Sequence, residues 1–358
     1  MVDIPALTRQ VQHNCDVSDA RHAGIYSICG LAMRLRDLFK WEHDLPPWQE
    51  SDSGDVLEWI GVKESCWERL ADSDYEQLAA GGSGFDPFDS EAINAVLIPE
   101  GFYYGAGYAH SLKPTFFLAL IQQRTEIEGT PVYHLGRELA RDLLTLPAMI
   151  QNGQVVLRRE AARLHLWDKL LYLKPSGKKA LNLALQALGV SGEGTEALHQ
   201  HLDLIMETQT DLYARHEIGE LYDVGFPADV WRQMIGDFPH TPVELLLRSL
   251  KDILADTHPS GALGHTIAHR NRAALGLYMA FFDGLMKQLC PTLTAAFDQF
   301  ITTNRWEAIH QAAAKSRRRA MDQAERLMAI YNHANARGDL PEAERQIVSE
   351  MRAKKLIR

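Results

Sequence analysis

A chain of 358 residues can hold one large helical domain or two ordinary ones, so a sizeable core is available. Its 46% apolar and 23% charged residues sit at the averages for soluble globular proteins, which excludes disordered, collagen-like and coiled-coil classes. A net charge of -10 removes nucleic acid as a default partner, because phosphate binding requires a basic surface.

No run of about 18 uncharged apolar residues occurs, so no membrane-spanning helix is expected. The opening residues carry Asp3 and lack a basic stretch followed by an apolar one, so no secretory signal is read there. Cys15, Cys29, Cys66 and Cys290 are far apart and without C-x-x-C spacing. A disulfide framework and a thiolate zinc site are therefore not expected, and the compartment reads as reducing cytoplasm.

Taken in chain order, residues 19–42 predict a helix capped by Ser18 or Asp19, with Ile25, Ile28, Leu31, Leu35 and Leu38 near 3.6-residue spacing. From about 44 to 113 the chain is rich in Gly and Pro, with short helices at about 54–79 and 89–98. After Pro114 longer periodic segments predict helices near 114–127, 131–151, 158–173, 177–188, 194–223, 227–235, 241–257, 261–289, 291–302, 304–334 and 340–354. Thr241 followed by Pro242 marks one start, and Gly189 and Gly338 mark ends. Residues 153–160, GQVVLRRE, form the best short extended piece. The expected fold is all-α, with a helical bundle over 114–358 and a more irregular subdomain over 1–113, the soft boundary also allowing one continuous domain.

The chemically distinctive feature is the pair His216 and Glu220. On a helical wheel they fall among Leu198, Leu202, Ile205, Leu212 and Tyr213, inside the apolar stripe. Side chains one turn apart can point at the same spot, and bundles build iron and manganese sites from inward carboxylates and histidines. A second pair, His134 and Glu138, with Asp142 a turn beyond, borders the stripe of Val132, Leu135, Leu139 and Leu143. If the two helices faced each other, two His and two Glu would suit iron, manganese or zinc. The bland alternative is that these groups hydrogen-bond one another inside the bundle.

Asp252 and Asp256 on one helix, His258, and His265 with His269 also have metal-ligand types, but Val243, Leu246, Leu247, Leu250, Ile253 and Leu254 lie opposite the Asp pair. That pattern reads as a solvated face, unless a helix sandwiched between layers has a functional second face. Cys15, between His13 and His22 and ahead of a predicted helix start, has the surroundings of an activated thiol, against a bland reading as a small buried hydrophobe. The loop at 101–110 groups Tyr103, Tyr104 and Tyr108 with three glycines, a candidate ligand-binding surface or a turn plugging the bundle. Asp89 in FDPFDSE reads as a helix N-cap, and the basic run at 315–327 as a solvated helix face or an anion-binding patch.

The runs HNCDVSDA, CGLAMRLRDLFKWE, DPFD, YGAGY, LKPTFFLA, GRELARDL, ARHEIGEL and LKDILAD resemble an uncharacterised family of bacterial, mainly proteobacterial, proteins. The resemblance implies a bacterial, soluble protein and carries over no catalytic residue. Two functions follow from the residues themselves: a metal-dependent helical enzyme using iron or another divalent ion, or a non-catalytic scaffold with internal His/Glu networks. A small-molecule ligand and a homo-oligomer through the long C-terminal helices are compatible partners.

Overall fold

A computed structural model describes residues 2–191 and 194–357. The chain divides into two compact units, Met1–Asp168 and Lys169–Arg358.

The first unit begins with α1 (Ile4–His22), where Asp3 caps the Ala6 amide and Pro5 sits in the first turn. Then come α2 (Ile28–Glu42), capped by Ser27, and α3 (Ser53–Leu70), capped by Asp52. A small hairpin, β1 (Leu78–Ala80) and β2 (Ser83–Phe85), leads to α4 (Ser90–Leu97), whose cap is Asp89. A five-stranded mixed sheet follows: β3 (Phe102–Tyr108), β4 (Pro114–Ile127), β5 (Thr130–Arg141), β6 (Ala148–Gln151) and β7 (Gln154–Arg158). Its order is β3-β4-β5-β7-β6, antiparallel except for the parallel pair β5/β7.

This sheet corrects the all-α expectation, since the helices read at 114–127 and 131–151 are mainly β4 and β5. The reason is burial on both faces. Tyr104, Phe116 and Leu118 pack into one core with Leu7, Val11 and Ile93, whereas Tyr103, Phe117 and Ala119 pack into another with Tyr133, Leu135 and Val156. A strand covered on both sides loses the polar half of its alternation and reads as a continuous apolar run, which periodicity alone does not separate from a helix. Register shifts between Leu118 and Gln123 blur the period further. In β5, Glu138 and Arg141 are buried charges, each with side-chain exposure of 0%, held in an ion network with Arg158.

Helix α5 (Arg159–Leu171) runs directly from β7 and contains the division between the units. The second unit is helical among the described residues: α6 (Lys178–Ala187), α7 (Gly194–Gln200), α8 (Leu202–Tyr222), α9 (Ala228–Asp237), α10 (Pro242–Thr257), α11 (Ala262–Ala268), α12 (Arg272–Ala280), α13 (Gly284–Leu289), α14 (Pro291–Thr303), α15 (Trp306–Ala336) and α16 (Leu340–Ala353). Thr241 caps α10 through the Glu244 amide, with Pro242 in the first turn, as the sequence predicts. Helix α10 packs against both α8 and α15, so it is covered on more than the face its leucines mark.

Candidate metal centre

Helix α8 approaches α10 closely at Gly219, and Gly261, in the turn after α10, packs against the same point. A Cβ on Gly219 would lie 2.2 Å from the Ala255 carbonyl oxygen, and one on Gly261 would lie 1.9 Å from the same atom. Only residues without side chains permit this spacing. It brings His216 and Glu220 of α8 against Asp252 and Asp256 of α10.

His216 Nδ1 lies 2.8 Å from Asp256 Oδ1, and the Tyr278 hydroxyl on α12 donates to Asp256 Oδ2 at 3.0 Å. A carboxylate facing Nδ1 places the proton there and aims Nε2 the other way. Nε2 then looks toward Glu220 Oε1 at 3.6 Å and Asp252 Oδ1 at 4.0 Å. Lys251 Nζ donates to the other Glu220 oxygen, Oε2, at 2.7 Å. One atom each from His216, Glu220 and Asp252 falls within 4.8 Å of the others. Ligands bound about 2.1 Å from one ion stand about 3–4 Å apart, so the measured pairs already have the spacing of a coordination sphere.

The charges lean the same way. Glu217, Glu220 and Asp252 are each opposed by the same two basic groups, Lys251 and His216. Burial, reinforced by Glu220 and Asp256, pushes the Asp252 carboxyl up to about 7, and burial together with Glu220 does the same to Glu217. Glu220 goes the other way, to about 2, because His216 and Lys251 outweigh its burial. Burial disfavours charge on His216, but Asp256 and then Glu220 override it and hold the imidazole well above its ordinary value. Excess carboxylate around one oriented imidazole nitrogen is the electrostatics of a cation site.

The other sequence candidates lie elsewhere. His134 and Glu138 are on strand β5, not on a helix: His134 Nε2 meets the Thr125 hydroxyl at 2.9 Å, and Glu138 Oε1 accepts from Arg158 Nε at 2.6 Å. Asp142 is fully buried and paired with Lys113, which Asp19 also contacts at 3.0 Å. The 101–110 segment is strand β3 followed by a turn rather than a loop. There Tyr103 and Tyr104 are core residues with no exposed surface, the Tyr104 hydroxyl donating to the Pro87 carbonyl, and Tyr108 stacks on Phe88 at the surface. Cys15 sits inside α1, fully buried, its thiol donating to the Phe116 carbonyl and pushed up by burial, so it is not an activated nucleophile. His265 and His269 stack on each other, and Arg317 of the basic run is bonded to Asp223 and the Leu254 carbonyl.

The sequence pattern reads Asp252 and Asp256 as a solvated face and gives no signal for Tyr278. Their position opposite the leucine stripe of α10 holds, but that second face meets α8. The usable signal was Gly219, the one glycine of α8, in the helix interior one position before Glu220.

The fold and this cluster define a two-part protein with a candidate divalent-metal centre in its helical part. The chain belongs to a family of unknown function, DUF6866: the family's N-terminal domain matches residues 6–158 and its C-terminal domain residues 163–351. No curated protein and no solved structure matches it. Among the described residues no helix is long and apolar enough to cross a membrane.

Proposed function

We propose that this is a metal-dependent enzyme of the bacterial cytoplasm, its ion held by His216, Glu220 and Asp252, with Asp256 and Tyr278 fixing the imidazole. The observation that carries the reading is the relay Tyr278–Asp256–His216, which orients a nitrogen toward two carboxylate oxygens at ligand spacing. One nitrogen and two oxygens suit manganese, iron or zinc better than magnesium or calcium. Three protein ligands leave coordination positions for water or substrate, and the three side chains are 18–39% exposed, so solvent reaches them. A cation there would supply Lewis acidity and a more acidic bound water. In this reading His134 and Glu138 are left to the hydrogen bonds of the sheet, and Tyr103, Tyr104 and Tyr108 to its packing.

The competing reading is a scaffold in which protonated His216 is itself the cation that satisfies the acids; the hold on its proton favours it. Metal binding must displace that proton, so the two readings separate in one experiment. Purified protein, stripped and titrated with Mn2+, Fe2+ and Zn2+ at pH 7.5, is expected to bind one ion per chain with a rise in Tm and release of a proton. The double variant His216→Ala/Glu220→Ala should bind none. Equal Tm with and without each ion, together with no metal retained by the wild type, would leave the scaffold.

A further inference from the structure

The first unit contains a cavity of about 670 Å3 that the metal reading does not use. That size is in the range of small-molecule sites. Its walls come from three places: the end of α2 and the turn after it, the β4/β5 pair, and the first turns of α5.

The opening in the sheet has a local cause. Regular pairing of β4 with β5 slips between Ala119 and Ile121 and again between Ile121 and Gln123, on the stretch that borders the cavity. Bulges bend strands and recur beside binding sites. Opposite them lies Gly136, where an added Cβ would meet nothing closer than 3.7 Å. Its φ is not in the left-handed region, so neither strain nor a close neighbour requires glycine there. What its missing side chain does is leave the cavity wall bare.

The lining chemistry is two-sided. Trp41, Leu45, Leu120, Ile121 and Leu164 supply an apolar surface, on which Leu120 is 37% exposed. Against that, Lys40, Arg137, Arg159 and Arg163 outnumber Asp44 and Glu160 in a chain of net charge -10. Two of the arginines are lightly held. Arg159 donates to the neutral Gln122 amide at 3.4 Å, and Arg137 is 63% exposed with an ion pair to Asp44 stretched to 3.6 Å. Glu160 accepts from the Glu138 amide, and burial, with Glu138 adding, shifts its carboxyl upward.

We propose that this cavity binds a small organic anion, its planar apolar body against Trp41 and Leu120 and its carboxylate or phosphate on Arg137 and Arg159. Guanidinium forks match two-oxygen anions, and aromatic walls beside arginines suit ring-bearing ligands.

Calorimetric titration of the full chain with 2-naphthoate, 2-naphthyl phosphate and neutral 2-naphthamide tests this. One or both anions should bind one per chain and at least about tenfold tighter than the amide, a difference of about 1.4 kcal/mol. Which anion is the tighter distinguishes a carboxylate from a phosphate ligand. Gly136→Leu, which puts a side chain into the cavity beside Arg137, should weaken binding about tenfold or more, and Arg159→Gln, at an exposed position, should weaken it about fivefold or more. Should Gly136→Leu not fold, Arg159→Gln decides alone. No binding by either anion, equal binding of the amide, or binding unchanged in Arg159→Gln would overturn the proposal. Metal binding by the same samples is unaffected in every case, so failure here is separable from failure of the metal reading.

Discussion

Asp252 shows how a carboxylate is kept where charge is disfavoured. Burial pushes it from 3.8 up to about 7, with Glu220 and Asp256 adding and His216 and Lys251 opposing. The folded protein therefore holds the Asp252 proton more tightly than the unfolded chain. The stability this contributes is fully present below about pH 4 and is lost as pH rises toward 7. His216, raised above 6.5, has the same sign: its contribution is present at low pH and is lost as pH climbs through its folded value. Metal-free protein should accordingly weaken on the alkaline side. Asp252→Asn mimics the protonated acid, so in chelator the variant should melt above wild type at pH 8, by ~3 °C, about what 1 kcal/mol does once solvent screening discounts the shift. The gap should close toward pH 4, and the variant should gain nothing from Mn2+. A variant less stable than wild type by the same amount at every pH would mean that Asp252 is an ordinary structural anchor. At this scale the sequence was informative for α8 but not for α10. His216 and Glu220 stand out because they interrupt leucines, whereas Asp252 and Asp256 sit opposite leucines, where a carboxylate normally meets water.

Among the elements, the decisive contact is between α8 and α10, and Gly219 controls it. A methyl at 2.2 Å from the Ala255 carbonyl oxygen cannot be absorbed by a rotamer change, because the neighbour is backbone. Gly219→Ala should cost ~2–4 kcal/mol, seen as a lower midpoint in urea, and should weaken Mn2+ binding by separating Glu220 from Asp252. Gly236→Ala is the control: it lies on α9 with nothing within 4 Å, and the gain in helix propensity should leave it neutral or up to ~1 kcal/mol more stable. If both alanines behave alike, the close approach does not matter. The helical type of the second unit was legible, but α1 (Ile4–His22) was not: Asn14, Ser18 and Asp19 sit on its buried face among Leu7, Val11 and Cys15, and the helix expected from 19 begins fifteen residues earlier. Helices α10 and α16, with Thr241 and Asp339 as caps, lie where their patterns place them, and GQVVLRRE contains β7. Element type was illegible at β4 and β5, because tertiary burial of both faces, bulges and the buried Glu138–Arg158 pair erased the alternation that identifies a strand.

For the whole molecule the question is whether the two compact units are also independent folding units. Each has its own apolar core and enough residues to bury one. The two family domains meet between residues 158 and 163, at the β7–α5 junction. A cut there would strip α5 from the unit it belongs to, since Ala161, Leu164, Leu166 and Trp167 are buried and Asp168 pairs with Arg36. The better division is after Tyr172, past the end of α5. Fragments 1–172 and 173–358 are expected to be separately soluble and to unfold cooperatively, each with its own transition. Their responses should then sort by site: Mn2+ should raise the melting temperature of 173–358 alone, and naphthyl anions should stabilise 1–172 alone. A fragment that stays unfolded until its counterpart is added would show that the units fold as one, and metal stabilisation of 1–172 would return His134 and Glu138 to consideration as ligands.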